Sequence, residues 1–289
     1  MANNSNLAVF NRTINDPKTQ QYLTSVLAER KSEFVTSLIS IVANNAQLQA
    51  CDALTVMYAA MKAASLRLPF DPNLGCAYVI PYQNKKAGTV EAQFQLGYKG
   101  FVQLAQRSGQ FAHINADAVY EGELKGRDKK SGEPDLSGEK TSDKIVGYFA
   151  YFKLLNGFEK TLYMSKAEVD AHAKRFSQTA RQGFGLWTEK DSFDAMAKKT
   201  VLKLLLSKYA PLSVEMQTAV KFDQAVIRED EAIYVDNAPD EQVQSESESE
   251  AAKIKKTAKD KVETAMAAAA GAAAPAEVNK ETGEVLNLK

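Results

Sequence analysis

Residues 66–109 read LRLPFDPNLGCAYVIPYQNKKAGTVEAQFQLGYKGFVQLAQRSG, and the fold turns on this stretch. Tyr78, Ile80 and Tyr82 alternate with Ala77, Val79 and Pro81; Val90, Ala92, Phe94 and Leu96 alternate with Glu91, Gln93 and Gln95. A period of two marks two half-buried strands, each turning one face to a core. The connection, residues 83–89, carries Lys85, Lys86 and Gly88, the composition of a wet, basic hairpin loop. Gly97-Tyr98-Lys99-Gly100 interrupts the alternation. Phe101, Val102, Leu104 and Ala105 then fall at helical spacing, up to a Gly109 placed for a left-handed helix cap. A hairpin feeding a basic, aromatic helix start is the unit on which the rest of the chain is expected to pack.

The chain has 289 residues, 45% of them hydrophobic, enough for one sizeable core with appendages. Its net charge is zero, yet the charges are unevenly placed. Residues 63–213 hold 22 Lys/Arg against 16 Asp/Glu, whereas residues 214–250 hold 2 against 11. A basic middle followed by an acidic segment points to a polyanionic partner and a regulatory tail. The two cysteines, Cys51 and Cys76, read as small core residues in a reducing compartment rather than a disulfide framework. The N-terminus lacks the basic and apolar regions of a secretory signal, and no apolar run reaches the ~20 residues of a membrane span. A soluble, cytoplasmic protein with no membrane contact is expected.

Residues 1–18 read as polar and loose. Leu23, Leu27, Phe34, Leu38, Ile41 and Val42 keep helical spacing, and a second helix starts at the capping residue Asp52, with a small-residue stripe through Ala53, Met57, Ala60, Met61 and Ala64. After the hairpin unit, residues 114–123 read as a strand. Residues 124–144 read as a mobile charged loop, and residues 145–155 as an aromatic strand returning through Asn156-Gly157 as residues 158–164. Ser165 with Glu168 forms a capping box. A helix over residues 191–209 is expected to bury Phe193, Ala197, Val201, Leu204 and Leu205, Pro211 stops it, and residues 214–235 continue helical. Beyond Asn237 the chain is low in complexity, SESESE and then Lys/Ala-rich, a composition expected to be disordered. The organisation expected is a helical N-terminal region over 1–62, a core over 63–235 and a tail over 236–289.

Several chemistries lack their residues. No Gly-Lys dipeptide exists to build a phosphate loop for ATP. His113 and His172 stand apart from other metal-ligating residues, so no metal or other cofactor is expected. The carboxylates around Pro134-Asp135 and Glu139-Lys140 fall in the charged loop, with no rigid strand to converge them on an ion. No Ser or Cys nucleophile has a partner. The chain does not read as a bond-breaking enzyme, and a metal-dependent nuclease is the weaker alternative.

The residues present suit a polyanion. A two-residue turn at Asn156-Gly157 would pair Lys153 with Lys160 across the strands, beside Tyr151. A phosphate between the two ammonium groups would turn their repulsion into binding; equally, both can point into water, where screening makes the repulsion trivial. Asp194 can pair with Lys198, while Lys199 and Lys203 are like charges one turn apart and form with Lys198 a basic face opposite the apolar stripe. Lys99, Arg107, Lys174, Arg175 and Arg181 add to this charge. Tyr82, Tyr98, Tyr151, Phe176, Phe184 and Trp187 are interleaved with it, as in a single-strand groove where cations track phosphates and rings stack on unpaired bases. Phe94, Phe101, Phe149 and Phe193 are read as core, while Tyr98 and Trp187, beside glycines and loops, are the better stacking candidates. Gly97-Tyr98-Lys99-Gly100 is read as a point where a DNA backbone can approach closely.

Four ordered blocks, LPFDPNLGCAYVIPY, FQLGYKGFVQLAQRSGQ, GYFAYFKLLNGFEKT and DAMAKKTVLKLLLSKYAPLS, resemble the RecT family of phage and prophage recombinases over roughly residues 20–225. The resemblance implies a protein that binds single-stranded DNA without ATP and anneals it through a duplex intermediate. It also implies assembly of copies as rings or helical filaments, with a partner exonuclease and the host single-strand-binding protein, in the bacterial cytoplasm. The implied fold is α+β, a small antiparallel sheet of hairpins packed on helices, similar to the core of Red-beta and of eukaryotic Rad-type annealing proteins. The family's groove positions fall here on Gln93, Gln95, Lys99, Arg107, Lys153, Lys198, Lys199 and Lys203. A passive single-strand-binding protein that protects strands without pairing them is the main rival.

Overall fold

The computed structural model describes residues 2–84, 87–228 and 231–233. Lys85 and Lys86 of the expected basic loop, and the tail expected over 236–289, lie outside the described residues. The chain opens with helices α1 (Ala2–Ile14), α2 (Pro17–Leu27), α3 (Lys31–Ala43), α4 (Ala46–Gln49) and α5 (Ala53–Ser65). Residues 1–18, expected loose, instead supply α1, because Phe10 and Ile14 lie one turn apart and are both buried in the core. Asp16, Asn45 and Asp52 cap the starts of α2, α4 and α5 by accepting backbone amides. The alanines of α5 do what a small-residue stripe permits: Ala59, Ala60 and Ala63 are fully buried where strands press close.

Strands β1 (Ala77–Asn84) and β2 (Thr89–Leu96) form the expected hairpin, with Val79 opposite Phe94, Ile80 opposite Gln93 and Tyr78 opposite Gln95. Ala77, Val79, Ala92, Phe94 and Leu96 are buried, and the alternate residues form the outer face. Two hydrogen bonds stitch α5 beneath the hairpin: the Ala92 amide donates to Thr55 Oγ1 at 2.9 Å, and the Asp52 amide donates to the Val90 carbonyl at 2.8 Å. Helix α6 (Tyr98–Arg107) starts directly after β2 and ends before Gly109, which has φ +67° as the capping reading requires. The glycines at its start correct the sequence reading. A Cβ on Gly97 would lie 2.1 Å from the Gly75 carbonyl oxygen, and one on Gly100 2.1 Å from that of Cys76. The close approach they permit is to the protein's own backbone.

A second sheet follows, in the order β3 (Phe111–Tyr120), β6 (Ile145–Leu154), β7 (Glu159–Ser165), all antiparallel. The segment between β3 and β6, expected mobile, is folded back. Its short strands β4 (Gly126–Arg127) and β5 (Pro134–Asp135) pair, and the Glu133 carboxylate accepts from Lys160 Nζ at 2.7 Å and from the Thr161 amide at 3.2 Å. The β6–β7 register also differs from expectation. Lys153 pairs with Glu159 and Phe152 with Lys160, because the Leu154 amide donates to Phe158 and closes a three-residue loop with Gly157 at φ +89°. Phe149, expected in the core, lies with Tyr151 and Lys153 on the outer side of this register, opposite the buried Tyr148, Ala150 and Phe152. The Ser165–Glu168 capping box opens α7 (Lys166–Phe176), followed by α8 (Gln178–Gln182).

Helix α9 (Lys190–Tyr209) packs on α6, α7 and all three strands of the second sheet. It is therefore buried on more sides than an amphipathic surface helix: Ala197, Val201, Leu202, Leu205 and Leu206 are fully enclosed, with Lys199 and Thr200 nearly so, while Leu204 is only half-buried. Helix α10 (Val214–Phe222) ends earlier than expected. At Asp223 the chain turns extended, Gln224 takes φ +67°, and β8 (Ala225–Arg228) joins β2 before β9 (Glu231–Ile233) closes a four-stranded sheet ordered β1-β2-β8-β9. The β-branched Val226 and Ile227 suit this return.

Gly100→Ala would ordinarily stabilise a helix interior. Here the Cβ meets the Cys76 carbonyl, so the substitution is expected to cost about 2 kcal/mol in urea denaturation, of the order of other overpacked sites. Gly126→Ala, where no atom lies within 4 Å of the new Cβ, is the neutral control.

Candidate nucleic-acid interface

The outer face of the β1–β2 hairpin carries Tyr78, Ile80 and Tyr82 on one strand and Gln93 and Gln95 on the other, all half-buried. Period-two alternation dictates this: the same register that buries Phe94 and Leu96 turns the amides out. Lys99, in the first turn of α6, continues the face. Its Cδ and the Tyr78 hydroxyl each lie 3.5 Å from the point where a Cβ on Gly75 would stand, so tyrosine and lysine flank one open glycine. Lys99 is exposed and makes no ion pair with another described residue. Tyr98, a stacking candidate, is half-buried and packed against the core; burial first, then the neighbouring Asp117 charge, push its hydroxyl pKa up despite a bond from the Ala116 backbone and the nearby Lys198.

Lys198, Lys199 and Lys203 of α9 do not form one basic face. Lys198 reaches Asp117 on β3 at 2.6 Å, and Asp194 accepts from the Tyr148 hydroxyl instead of pairing with Lys198. Lys199 is only 7% exposed and lies 4.0 Å from Asp223, itself 3% exposed. Lys203 donates to the other Asp223 oxygen at 2.5 Å, and the Leu96 amide donates to Asp223 Oδ1 at 2.8 Å. Burial pushes the Lys199 ammonium down to about 8, against the pull of Asp223. Asp223 is held below the usual carboxylate range, because the charges of Lys203 and Lys199 and the two hydrogen bonds outweigh the upward push of burial. The like charges at i,i+4 thus share one buried carboxylate.

Other expected site residues are dispersed. Lys153 lies 3.5 Å from Glu159, which also accepts from the Tyr151 hydroxyl at 2.7 Å; Lys160 turns to the other side, onto Ser131 and Glu133. An opposite-charge pair therefore stands where a like-charge pair was expected. Lys174 is bridged to Asp170 at 2.6 Å, Arg175 lies over the Phe176 ring, and Arg181 donates to the Arg175 carbonyl. Trp187 packs edge-on against Phe193, 5.5 Å between centroids, and belongs to the rim of the core. Arg107 sits at the far end of α6 from Lys99 and donates to the Leu66 carbonyl at 3.0 Å. Asp135 accepts the Ser137 amide in a turn, and among the described residues no group of three or more His, Cys, Asp or Glu could hold a metal ion. No described helix is long and apolar enough to cross a membrane.

Two residues were missed from sequence. Tyr78 faces Gln95 and Lys99, and its position opposite Gln95 was open to inference from the alternation once the hairpin was drawn. Asp223 had no such signal: it contacts Leu96 across 127 positions.

The RecT family model matches residues 32–249, most of the chain. This chain belongs to the RecT family, and membership makes it a recombination-associated single-strand annealing protein. It is 44% identical over 225 residues to the uncharacterized protein YqaK of Bacillus subtilis (strain 168), covering 78% of this chain and 73% of that one. It is 31% identical over 225 residues to Protein RecT of Escherichia coli (strain K12), covering 73% of this chain and 78% of that one.

Asp223→Ala leaves Lys199 buried without its partner and is expected to cost about 3–5 kcal/mol in urea denaturation. The pH dependence has a definite sign. Lys199 titrates near 8 in the fold and at 10.5 when unfolded, so between those values the unfolded chain holds the extra proton and Lys199 makes stability rise with pH. Comparing wild type with Lys199→Met at pH 7.5 and pH 9.5, the difference should shift in favour of wild type at the higher pH.

Proposed function

We propose that this protein holds single-stranded DNA along the outer face of the β1–β2 hairpin and pairs it with a complementary strand without ATP. The observation that carries the reading is the continuity of Tyr78, Tyr82, Gln93 and Gln95 with the exposed Lys99, which has no ion-pair partner among the described residues. A cation at the edge of a half-open aromatic and amide face suits a strand whose phosphates run past Lys99 while its bases lie on the tyrosines. Phosphate contacts supply affinity without sequence preference, and base pairing between strands supplies specificity. The free energy of the new duplex drives the reaction, so no nucleotide need be hydrolysed. Family membership supports this reading of the whole chain; the residue-level assignment rests on the geometry.

The finer organisation is part of the same reading. Copies assemble on DNA through contacts of the helical region 1–62, the core over 63–235 resembles Red-beta and Rad-type annealing cores, and the tail over 236–289 recruits partners. An exonuclease supplies the single strands and the host single-strand-binding protein yields them, in the bacterial cytoplasm.

The test mixes complementary labelled oligonucleotides with the protein, without ATP, with and without Mg²⁺. Pairing faster than the spontaneous rate is expected. Slower pairing would assign passive strand protection instead, and shortened strands in Mg²⁺ would assign a nuclease. Tyr78→Ala with Lys99→Ala should weaken single-strand binding about tenfold by fluorescence anisotropy, the scale of one lost stacking contact and one phosphate contact, with the melting midpoint unchanged.

A further inference from the structure

Helix α5 ends in a Schellman turn: the Arg67 amide donates to the Ala64 carbonyl at 3.0 Å and the Leu68 amide to the Ala63 carbonyl at 2.9 Å. The residue between the cap and Leu68 must then be left-handed, a position that favours glycine. Arg67 occupies it, at φ +53°. A side chain kept where glycine is easier points to a use for that side chain. Arg107, from the end of α6, donates to the Leu66 carbonyl in the same turn. The two arginines line a cavity of about 410 Å³ with Ser65, Ser108, Ser213 and Glu215.

Among the described residues that line this cavity, Glu215 is the acidic one. Its carboxyl is held below the usual carboxylate range by its own backbone amide and the Ser213 hydroxyl, and further by Arg107 and Arg67. Two guanidiniums and one carboxylate thus line the same cavity. Among the described residues neither arginine makes a close ion pair: Arg107 donates to a carbonyl, and Arg67 acts on Glu215 only at longer range. Planar guanidinium forks match the oxygens of a phosphate, and the Ser213 hydroxyl, which serves Glu215, adds one neutral donor beside them.

We propose that this pocket, away from the hairpin face, binds a phosphate group between Arg67 and Arg107, with Glu215 as the resident anion that the phosphate displaces. The phosphate is a backbone phosphodiester of the bound strand or a free phosphate ion. The first source rests on the strand-binding reading above; the second does not.

The full chain serves for both arms. In the first, anisotropy of a labelled oligo-dT is titrated at several salt concentrations with wild type, Arg67→Gly and Glu215→Gln. Arg67→Gly should bind about threefold to tenfold more weakly, with a salt slope shallower by about one counterion, and Glu215→Gln should bind more tightly. Arg67→Gly should melt at or above the wild-type midpoint, since glycine relieves the left-handed position. In the second arm, inorganic phosphate is raised at constant ionic strength. A rise in the wild-type midpoint that Arg67→Gly abolishes, with strand affinity unchanged, assigns free phosphate; loss of strand affinity with no phosphate effect assigns the strand. The pocket is overturned if Arg67→Gly alters neither readout, or if it lowers the midpoint by more than about 3 °C, which would make Arg67 a structural residue. Wild type that binds no oligo-dT would count against the annealing reading, and the phosphate arm would still decide the pocket.

Discussion

Asp223 is buried between two lysines and a backbone amide, and three elements meet at that carboxylate. It stands at the end of α10, accepts from Lys203 of α9 with Lys199 close by, and takes the amide of Leu96 at the end of β2. Removing charges from water is costly, and the cost is offset only when all the partners are in place. The cluster therefore couples the C-terminal end of the hairpin strand to the central helix. Lys99, in the first turn of α6, lies three residues beyond Leu96, so the outer face of the hairpin inherits its position from this buried charge.

The local features were legible in sequence because short-range rules decide them. The alternation around Phe94, the capping residues Asp52 and Ser165, and the stop after α9 each depend on a few neighbouring residues. Longer-range features were not. The loop at Asn156-Gly157 has three residues rather than two because the Leu154 amide reaches Phe158, and that shift replaced a Lys153–Lys160 pair by Lys153–Glu159. Lys199 and Lys203 look like a solvated or phosphate-binding face until Asp223 arrives from a later element. The glycines of residues 97–100 signalled a close approach, but only the fold shows whose backbone approaches.

Of the candidate site, the hairpin amides and Lys99 were legible from the strand period and the helix start. The remaining cations spread over the molecule, most of them engaged by a carboxylate: Lys198 by Asp117, Lys153 by Glu159, Lys160 by Glu133, Lys174 by Asp170. Counting positive charge along a sequence cannot see these pairs. Lys99, beside the hairpin amides, has no such partner among the described residues.

The strap of residues 124–144 ends its work at the margin of the second sheet. Strand β7 is an outer strand, and there the Glu133 carboxylate accepts the Thr161 amide while Lys160 anchors the strap. An unpaired strand margin is a template for another chain. With the Thr161 amide taken by a side chain of the strap, β7 is covered at this position against pairing with another strand.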